Sequence, residues 1–183
     1  MGYIRYAIRY MTSNIAVENE QEDDDLLWQH LKTLPAFRGL LRAVEARFYQ
    51  QLDCPGPVLD IGCGDGNYTE LTFPNRRIDV GIDPWWGPLN KAKRSEKYDL
   101  VLQNAGAQWP FPDHTFQTAY SNSVLEHIPE IQDVLNEAGR VVAPNGRFVM
   151  TMPSHLFTEY LGGAGFFERL GMGGAANKYR DFF

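Results

Sequence analysis

Apolar residues recur at helical spacing after an acidic run over residues 18–25. The spacing predicts a helix that begins at Leu26 with Asp25 as its N-cap and is interrupted at Pro35. A second apolar stripe predicts a helix that continues to Leu52 and packs into the core: Phe37, Leu40, Leu41, Val44 and Phe48. The alternative is that these helices cover a ligand.

Short apolar runs and helical stretches alternate from the turn at Pro55 onwards. The runs predict five strands: Val58–Ile61, Ile78–Ile82, Asp99–Gln103, Thr115–Ser121 and Arg147–Met152. Helices are predicted between them, near Tyr68–Leu71, Leu89–Glu96 and Glu130–Val142. A turn at 144–146 precedes the fifth strand. This order is typical of an α/β, Rossmann-like, doubly wound and mostly parallel sheet, here with additional N-terminal helices.

The same pattern divides the chain into three parts. Residues 1–24 are too polar to pack and are expected to form a mobile segment. Residues 25–155 are expected to form the α/β domain with its N-terminal helical cover. Residues 156–183 are expected to form a Gly-rich tail or a truncated C-terminal part, with a short helical stretch near 156–161.

The first strand runs into a loop with Gly62, Gly64 and Gly66. Glycine allows positive φ angles and lets a ligand approach the backbone. A nicotinamide-dinucleotide loop would have its third glycine at position 67, where this chain has Asn67. The loop therefore indicates a ligand that need not carry a phosphate.

Two carboxylates close the first two predicted strands, and we expect both to face one cleft. Asp83 can accept hydrogen bonds from both hydroxyls of a ribose. Asp60 can bind a cationic amino or sulfonium group and would repel a phosphate. The pair favours S-adenosylmethionine over a dinucleotide.

The stretch VLDIGCGDGNYTELT resembles the first motif of class I S-adenosylmethionine-dependent methyltransferases of the type 11 methyltransferase-domain family. GIDPWW resembles the second motif. NAGAQWPFPDHTFQTAYSNSVLEHI and LNEAGRVVAPNGRFVMTMPS resemble the stretches that follow. The resemblance spans residues 57–154 and implies S-adenosyl-L-methionine as cofactor, with no indication of the methyl acceptor.

The resemblance also implies roles for individual residues. Asp60, Gly62 and Gly64 would line the methionine part of the cofactor, and Cys63, between the two glycines, would also contact the cofactor. Asp83 would hold the ribose. The remaining cofactor residues would be Pro84 and Trp85 beside the adenine, Asn104 and Ala105 at its edge, and Asn122 near the sulfonium. His127, next to Glu126, is the candidate catalytic base near the acceptor. Cys63 is interpreted as a small buried residue rather than a nucleophile, because no histidine is placed to activate it.

Two departures from the family pattern are visible. Asn104 stands where the family usually has Asp, but its amide oxygen can still accept a bond from the adenine amino group. The family fold has seven strands, and the strand signals stop after the fifth. An uncovered sheet edge would favour self-association.

The composition of the chain limits the classes of partner that we expect. The 183 residues carry a net charge of −6, which argues against a nucleic acid as the main partner. Lys91, Lys93, Arg94 and Lys97 are interpreted as a solvated helix face. Two cysteines without metal-ligand spacing predict no metal site. No signal peptide or transmembrane run is recognisable, so a cytoplasmic protein with a small-molecule or lipid-like acceptor is expected.

Three functions remain open at this point. The first is an S-adenosylmethionine-dependent methyltransferase. The second is a truncated cofactor-binding module without catalytic activity, which the missing strands suggest. The third, a nicotinamide-dependent oxidoreductase, is disfavoured by Asn67. His30, His114 and His155 are interpreted as incidental.

Overall fold

The computed structural model describes residues 25–154, 157 and 168–180. The predicted mobile segment over 1–24 and nearly all of the predicted helical stretch near 156–161 lie outside these residues. The division of the chain into three parts therefore stays a prediction.

Two helices precede the sheet, and both were predicted. Helix α1 spans Leu26–Thr33, and Oδ1 of Asp25 caps it by accepting from the amides of Leu27 at 2.7 Å and Trp28 at 3.3 Å. Pro35 is the N-cap of helix α2, Ala36–Gln50. The proline fixes its own φ and disfavours helical backbone before it, which separates the two helices.

Five parallel strands form one sheet in the order β3-β2-β1-β4-β5. The strands are β1 Val58–Ile61, β2 Ile78–Asp83, β3 Tyr98–Gln103, β4 Phe116–Asn122 and β5 Val142–Thr151. The remaining helices are α3 Asn67–Thr72, α4 Trp86–Arg94, the 3-10 turn Leu125–His127, α5 Ile131–Val141 and α6 Gly173–Arg180. This arrangement confirms the predicted Rossmann-like α/β fold. Among the described helices, none combines the length and apolar character needed to cross a membrane.

Strand β5 begins earlier than predicted. Phe116 pairs with Val142, whereas Thr118 pairs with Arg147, so the register shifts between these pairs. The predicted turn at 144–146 is therefore an irregularity within the bounds of β5, and Asn145 adopts a φ of 66° there. The sheet pairs residues on both sides of this bulge.

The core has two halves, one on each face of the sheet, because successive strand residues point to opposite faces. Leu59 and Ile61 belong to the half that includes α5, which we call the α5 side. Val58 belongs to the half that includes residues of α2 and α4, which we call the α2–α4 side. Alternate residues of β1 thus pack on opposite faces of the sheet.

The predicted core stripe of α2 is a wrong prediction for four of its five residues. Phe37, Leu40, Val44 and Phe48 are 38%, 47%, 57% and 44% exposed, and Leu41 is half-buried. The buried face carries Gly39, Ala43, Ala46 and Tyr49 instead. Small residues let α2 approach its neighbours closely, and a Cβ on Gly39 would lie 2.9 Å from Cδ2 of Leu31. The face of α2 that packs against its neighbours is therefore the one whose small residues allow close backbone approach, and not the one with the larger apolar surface.

Lys97 also departs from its predicted place on a solvated helix face. It is buried, and its Nζ donates to the carbonyl oxygens of Phe73 and Pro74. Burial lowers the pKa of this amine. Lys97 therefore joins the end of α4 to the segment after α3.

Candidate active site

The glycine loop after β1 has the backbone that its sequence predicts. Gly62, Gly64 and Gly66 adopt φ values of 79°, 55° and 81°. The amides of Gly62 and Cys63 donate to the carbonyl of Ile82 at 2.8 and 3.0 Å, which joins the loop to the end of β2. A Cβ on Gly62 would lie 2.5 Å from the methyl groups of Val124, whereas a Cβ on Gly64 would have no atom within 4 Å. Gly62 is thus required for packing, and Gly64 faces open space.

Asp83 lies at the end of β2 with a fixed carboxylate. Its Oδ2 accepts from the amide of Gly64 at 2.9 Å, and its Oδ1 accepts from the amide of Trp85 at 2.8 Å. The residue is 7% exposed. Each oxygen has a second lone pair, so the carboxylate can still accept hydrogen bonds from a ligand.

A cleft of about 630 Å³ opens at the carboxyl ends of the strands. Its lining comes from the ends of β1, β2 and β3, from the loop after β4 and from α5. Predicted site residues in the lining are Gly62, Asp83, Pro84, Trp85, Asn104, Ala105 and His127. This position, beside the point where the strand order reverses between β1 and β4, is where open α/β sheets bind ligands.

Asn104 presents an unused acceptor. Its backbone amide donates to the carbonyl of Asp83 at 3.1 Å, which fixes the start of the loop after β3. Its Oδ1 is buried and has no hydrogen-bond partner among the described residues. An unpartnered buried amide oxygen is costly unless a ligand or water satisfies it. The wall beside it is apolar, and Trp85 is 71% exposed there.

Asp60 does not meet the expectation that both carboxylates line one cleft. Its Oδ2 accepts from the hydroxyls of Thr69 at 2.7 Å, Tyr98 at 2.6 Å and Tyr120 at 2.8 Å. Burial raises the pKa of Asp60, although these three donors act in the opposite direction. The strand alternation directs Asp60 to the α2–α4 side, whereas Ile61 lines the cleft. A direct contact between Asp60 and a cofactor stays a prediction.

Cys63 packs as a small buried residue. It is 8% exposed, and a Cβ on Gly81 would lie 2.9 Å from its Sγ. Burial raises the pKa of its thiol, so the thiolate needed for nucleophilic attack is disfavoured. A contact between Cys63 and the cofactor stays a prediction.

Asn122 lies outside the cleft lining and is held by two neighbours. Its Nδ2 donates to Oε2 of Glu45 at 3.0 Å, and its Oδ1 accepts from the hydroxyl of Thr151 at 2.6 Å. The hydroxyl of Ser123, a lining residue, donates to Oε1 of Glu45 at 2.9 Å. Glu45 was missed by the sequence analysis, because a contact across 78 positions leaves no local pattern.

His127 lines the cleft at its rim. Its side chain is 78% exposed, and its Nε2 lies 4.0 Å from Oε1 of Glu126. Ring and carboxylate are therefore close without a hydrogen bond between them. A role for His127 as a base stays a prediction.

A second residue missed by the sequence analysis is Trp109, a buried part of the cleft wall. Its amide donates to Oε2 of Glu137 at 2.7 Å, and its carbonyl accepts from Nη2 of Arg140 at 3.1 Å. Arg140 also donates to Asp113 at 2.9 Å. Helix α5 thereby fixes the loop that forms this wall.

Comparisons with known proteins agree with this geometry. A family model described as a methyltransferase domain matches residues 59–150, half of the chain. Among curated relatives, a demethylmenaquinone methyltransferase from Symbiobacterium thermophilum is 31% identical over 57% of this chain and 45% of its own. A trans-aconitate 2-methyltransferase from Methylobacterium nodulans is 34% identical over 57% of this chain and 41% of its own. The chain thus spans less than half the length of these relatives.

A solved structure supports the fold in the same way. The crystal structure of an S-adenosylmethionine-dependent methyltransferase from Thermotoga maritima has a TM-score of 0.57 at 20% identity. The match covers 68% of this chain and 59% of that chain. Together with the family match over the glycine loop, Asp83 and the strands that carry them, these findings identify the chain as a member of the type 11 methyltransferase-domain family of class I S-adenosylmethionine-dependent methyltransferases.

Proposed function

We propose that this chain binds S-adenosylmethionine in the cleft and transfers its methyl group to a small-molecule or lipid-like acceptor. The observation that carries the proposal is the pair formed by Asp83 and Asn104 at the ends of neighbouring strands. Asp83 retains acceptor capacity for the ribose hydroxyls, and the orphaned Oδ1 of Asn104 can accept from the adenine amino group. The open space beside Gly64 adds room for close approach of the ligand to the backbone. These residues fit the cofactor.

When bound, the cofactor supplies a methyl group that its sulfonium has already activated for displacement. The contribution of the chain is then mainly positional. Asp83 and Asn104 hold the adenosyl part, and Trp85 and Trp109 provide apolar surface beside it. Alignment of two reactants can contribute on the order of 7–11 kcal/mol to catalysis. No strong acid or base is required unless the acceptor must lose a proton. In that case His127 is our candidate for the base that accepts the proton.

The acceptor class is inferred from two observations. The relatives are named for methylation of trans-aconitate and demethylmenaquinone, both small molecules. The net charge of −6 disfavours a nucleic-acid backbone. We therefore propose a small molecule or a lipid-like compound as the methyl acceptor.

Two measurements test the proposal. Isothermal titration should show S-adenosylmethionine binding to the wild-type protein and markedly weaker binding to Asp83→Ala. Mass spectrometry should then detect methyl transfer to at least one member of a panel of carboxylic acids and quinols.

Other outcomes would change the assignment. Binding without turnover across the panel would favour the alternative, a cofactor-binding module without activity. NAD binding in the absence of S-adenosylmethionine binding would reject the proposal in favour of an oxidoreductase.

A further inference from the structure

Three helices meet at a polar cluster in which several buried polar atoms have no hydrogen-bond partner among the described residues. His30 of α1 is fully buried, and neither of its ring nitrogens has a hydrogen-bond partner among the described residues. The hydroxyl of Tyr68, on α3, is buried and unpartnered in the same way. Unpaired buried polar atoms are rare in folded proteins, and each costs stability. Three such atoms lie in one place, and a ligand that formed hydrogen bonds with them would remove this cost.

The members of this cluster are close to one another. The rings of His30 and Tyr68 have centroids 5.9 Å apart. The guanidinium carbon of Arg42, on α2, lies 5.9 Å from the centre of the Tyr68 ring. Arg42 donates through Nη1 to Glu45 at 2.6 Å, and a guanidinium has four further N–H groups. We call His30, Tyr68 and Arg42 the three-helix cluster.

The three-helix cluster lies near the carboxyl ends of β1 and β4. Tyr68 follows the glycine loop by two residues, so it belongs to the first turn of α3. Glu45, one helical turn after Arg42, reaches Asn122 and Ser123 at 3.0 and 2.9 Å. Because Ser123 lines the cleft, the three-helix cluster is adjacent to the proposed cofactor site.

The chemistry of the three-helix cluster favours an anionic oxygen as its ligand. Burial raises the pKa of Tyr68, so its hydroxyl stays protonated and can donate. Burial lowers the pKa of His30, with Arg42 acting in the same direction and Glu45 against it, so the ring stays neutral and donates through one nitrogen. Arg42 supplies a positive charge. Glu45 is the neighbouring anion, and its oxygens already accept from Arg42, Asn122 and Ser123.

We propose that His30, Tyr68 and Arg42 bind a carboxylate group. Two sources share this chemistry: the amino-acid end of S-adenosylmethionine, and a carboxylate on the methyl acceptor. The inference rests on the proposed function. It assigns a role to α1 and α2, which cover the strand ends but contribute no residue to the cleft lining.

A matched pair of ligands and a matched pair of variants test the inference. S-adenosylmethionine and decarboxylated S-adenosylmethionine differ only by the carboxylate. Tyr68→Phe removes only an unpartnered hydroxyl, and Tyr49→Phe removes a hydroxyl that donates to the carbonyl of Ser121 at 2.8 Å. Isothermal titration gives the affinities, and thermal unfolding reports the stability of each variant.

If the cofactor supplies the carboxylate, Tyr68→Phe weakens S-adenosylmethionine binding by about tenfold or more. The same variant leaves binding of the decarboxylated ligand unchanged and keeps or raises Tm, because it removes an unsatisfied group. His30→Leu shows the same pattern. Tyr49→Phe shows the opposite one, a lower Tm with an unchanged ratio of the two affinities. A merely structural role for Tyr68 would not produce this dependence on the ligand carboxylate.

If the acceptor supplies the carboxylate, the variants leave the affinities for both S-adenosylmethionine ligands unchanged. The wild-type complex with S-adenosylhomocysteine then binds trans-aconitate, the probe chosen because a relative is named for its methylation, and the Tyr68→Phe complex does not. Normal binding of both S-adenosylmethionine ligands with no effect of either variant in either arm overturns this inference alone. A wild-type protein that binds neither ligand overturns the proposed function, and this inference with it.

Discussion

The amide of Gly64 donates to Oδ2 of Asp83 at 2.9 Å, so the glycine loop and the end of β2 share one carboxylate. The other oxygen of Asp83 accepts from the amide of Trp85 at 2.8 Å. Both bonds place an ionised acceptor opposite a backbone donor, the arrangement in which hydrogen bonds are strongest. One side chain thereby fixes the loop and keeps acceptor capacity for a ligand.

Asp83→Asn tests this double role. The side-chain amide of asparagine can accept through its one oxygen only. The backbone N–H of either Gly64 or Trp85 would therefore face the NH2 group, which is itself a donor. We expect a loss of about 1–3 kcal/mol in the free energy of unfolding, since a buried amide loses its partner. S-adenosylmethionine affinity should fall by tenfold or more in isothermal titration. Asp99→Asn is the matched control, because Asp99 is exposed and pairs only with Arg77 at 2.8 Å among the described contacts. Equal losses in both variants would contradict the assignment.

The two loop glycines should respond differently to alanine. Gly62→Ala combines a φ of 79° with a Cβ 2.5 Å from Val124, so we expect severe destabilisation. Gly64→Ala has a φ of 55° and open space around the new methyl, so the fold should lose only about 1–2 kcal/mol. Urea unfolding measures both losses. For Gly64→Ala, weak cofactor binding by a folded protein is expected, and full affinity would show that the space beside Gly64 is not used.

Asn104 offers a test of the adenine contact. Asn104→Asp restores the usual family residue and keeps an oxygen acceptor, so S-adenosylmethionine affinity should be retained or increased. Asn104→Leu removes an acceptor that no described residue satisfies, so the protein should remain as stable while its affinity falls about tenfold. Differential scanning fluorimetry and isothermal titration separate the two effects. Equal affinity in the wild type and Asn104→Leu would exclude the contact.

His30 should make stability depend on pH. Burial holds its pKa below the ordinary 6.5, so the unfolded state binds the proton more readily than the folded state. The free energy of unfolding should therefore fall as pH decreases below about 6.5, until the lowered pKa of the folded state is passed. His30→Leu should lose this part of the pH dependence between pH 8 and pH 5. His127→Gln is the control for loss of an exposed histidine. Identical profiles for wild type and His30→Leu would contradict a buried neutral ring.

Local patterns account for what the sequence could predict. The N-cap Asp25, the break at Pro35 and the apolar runs of β1 and β2 each depend on neighbours a few positions away. The glycine loop belongs to the same class, since positive φ at Gly64 is a property of a single residue. The βα alternation then predicts a parallel sheet, and right-handed crossovers restrict the face on which each connecting helix lies.

Contacts between distant segments account for what the sequence could not predict. The direction of Asp60 depends on which face of the sheet holds the cleft, and strand periodicity leaves both faces open. The exposed stripe of α2 looks like a core face, because periodicity does not show that Gly39 and Ala46 allow closer approach. His30 lacks any motif, and only its burial and unpaired nitrogens distinguish it.

The crossing of α1 and α2 at Gly39 limits how a ligand can reach the strand ends. A side chain at Gly39 would collide with Cδ2 of Leu31 at 2.9 Å and approach its backbone nitrogen at 3.3 Å. The two helices are therefore in close contact at that point, and a ligand cannot pass between them there unless they separate. A ligand that reaches the buried His30 would therefore have to enter elsewhere than through this crossing.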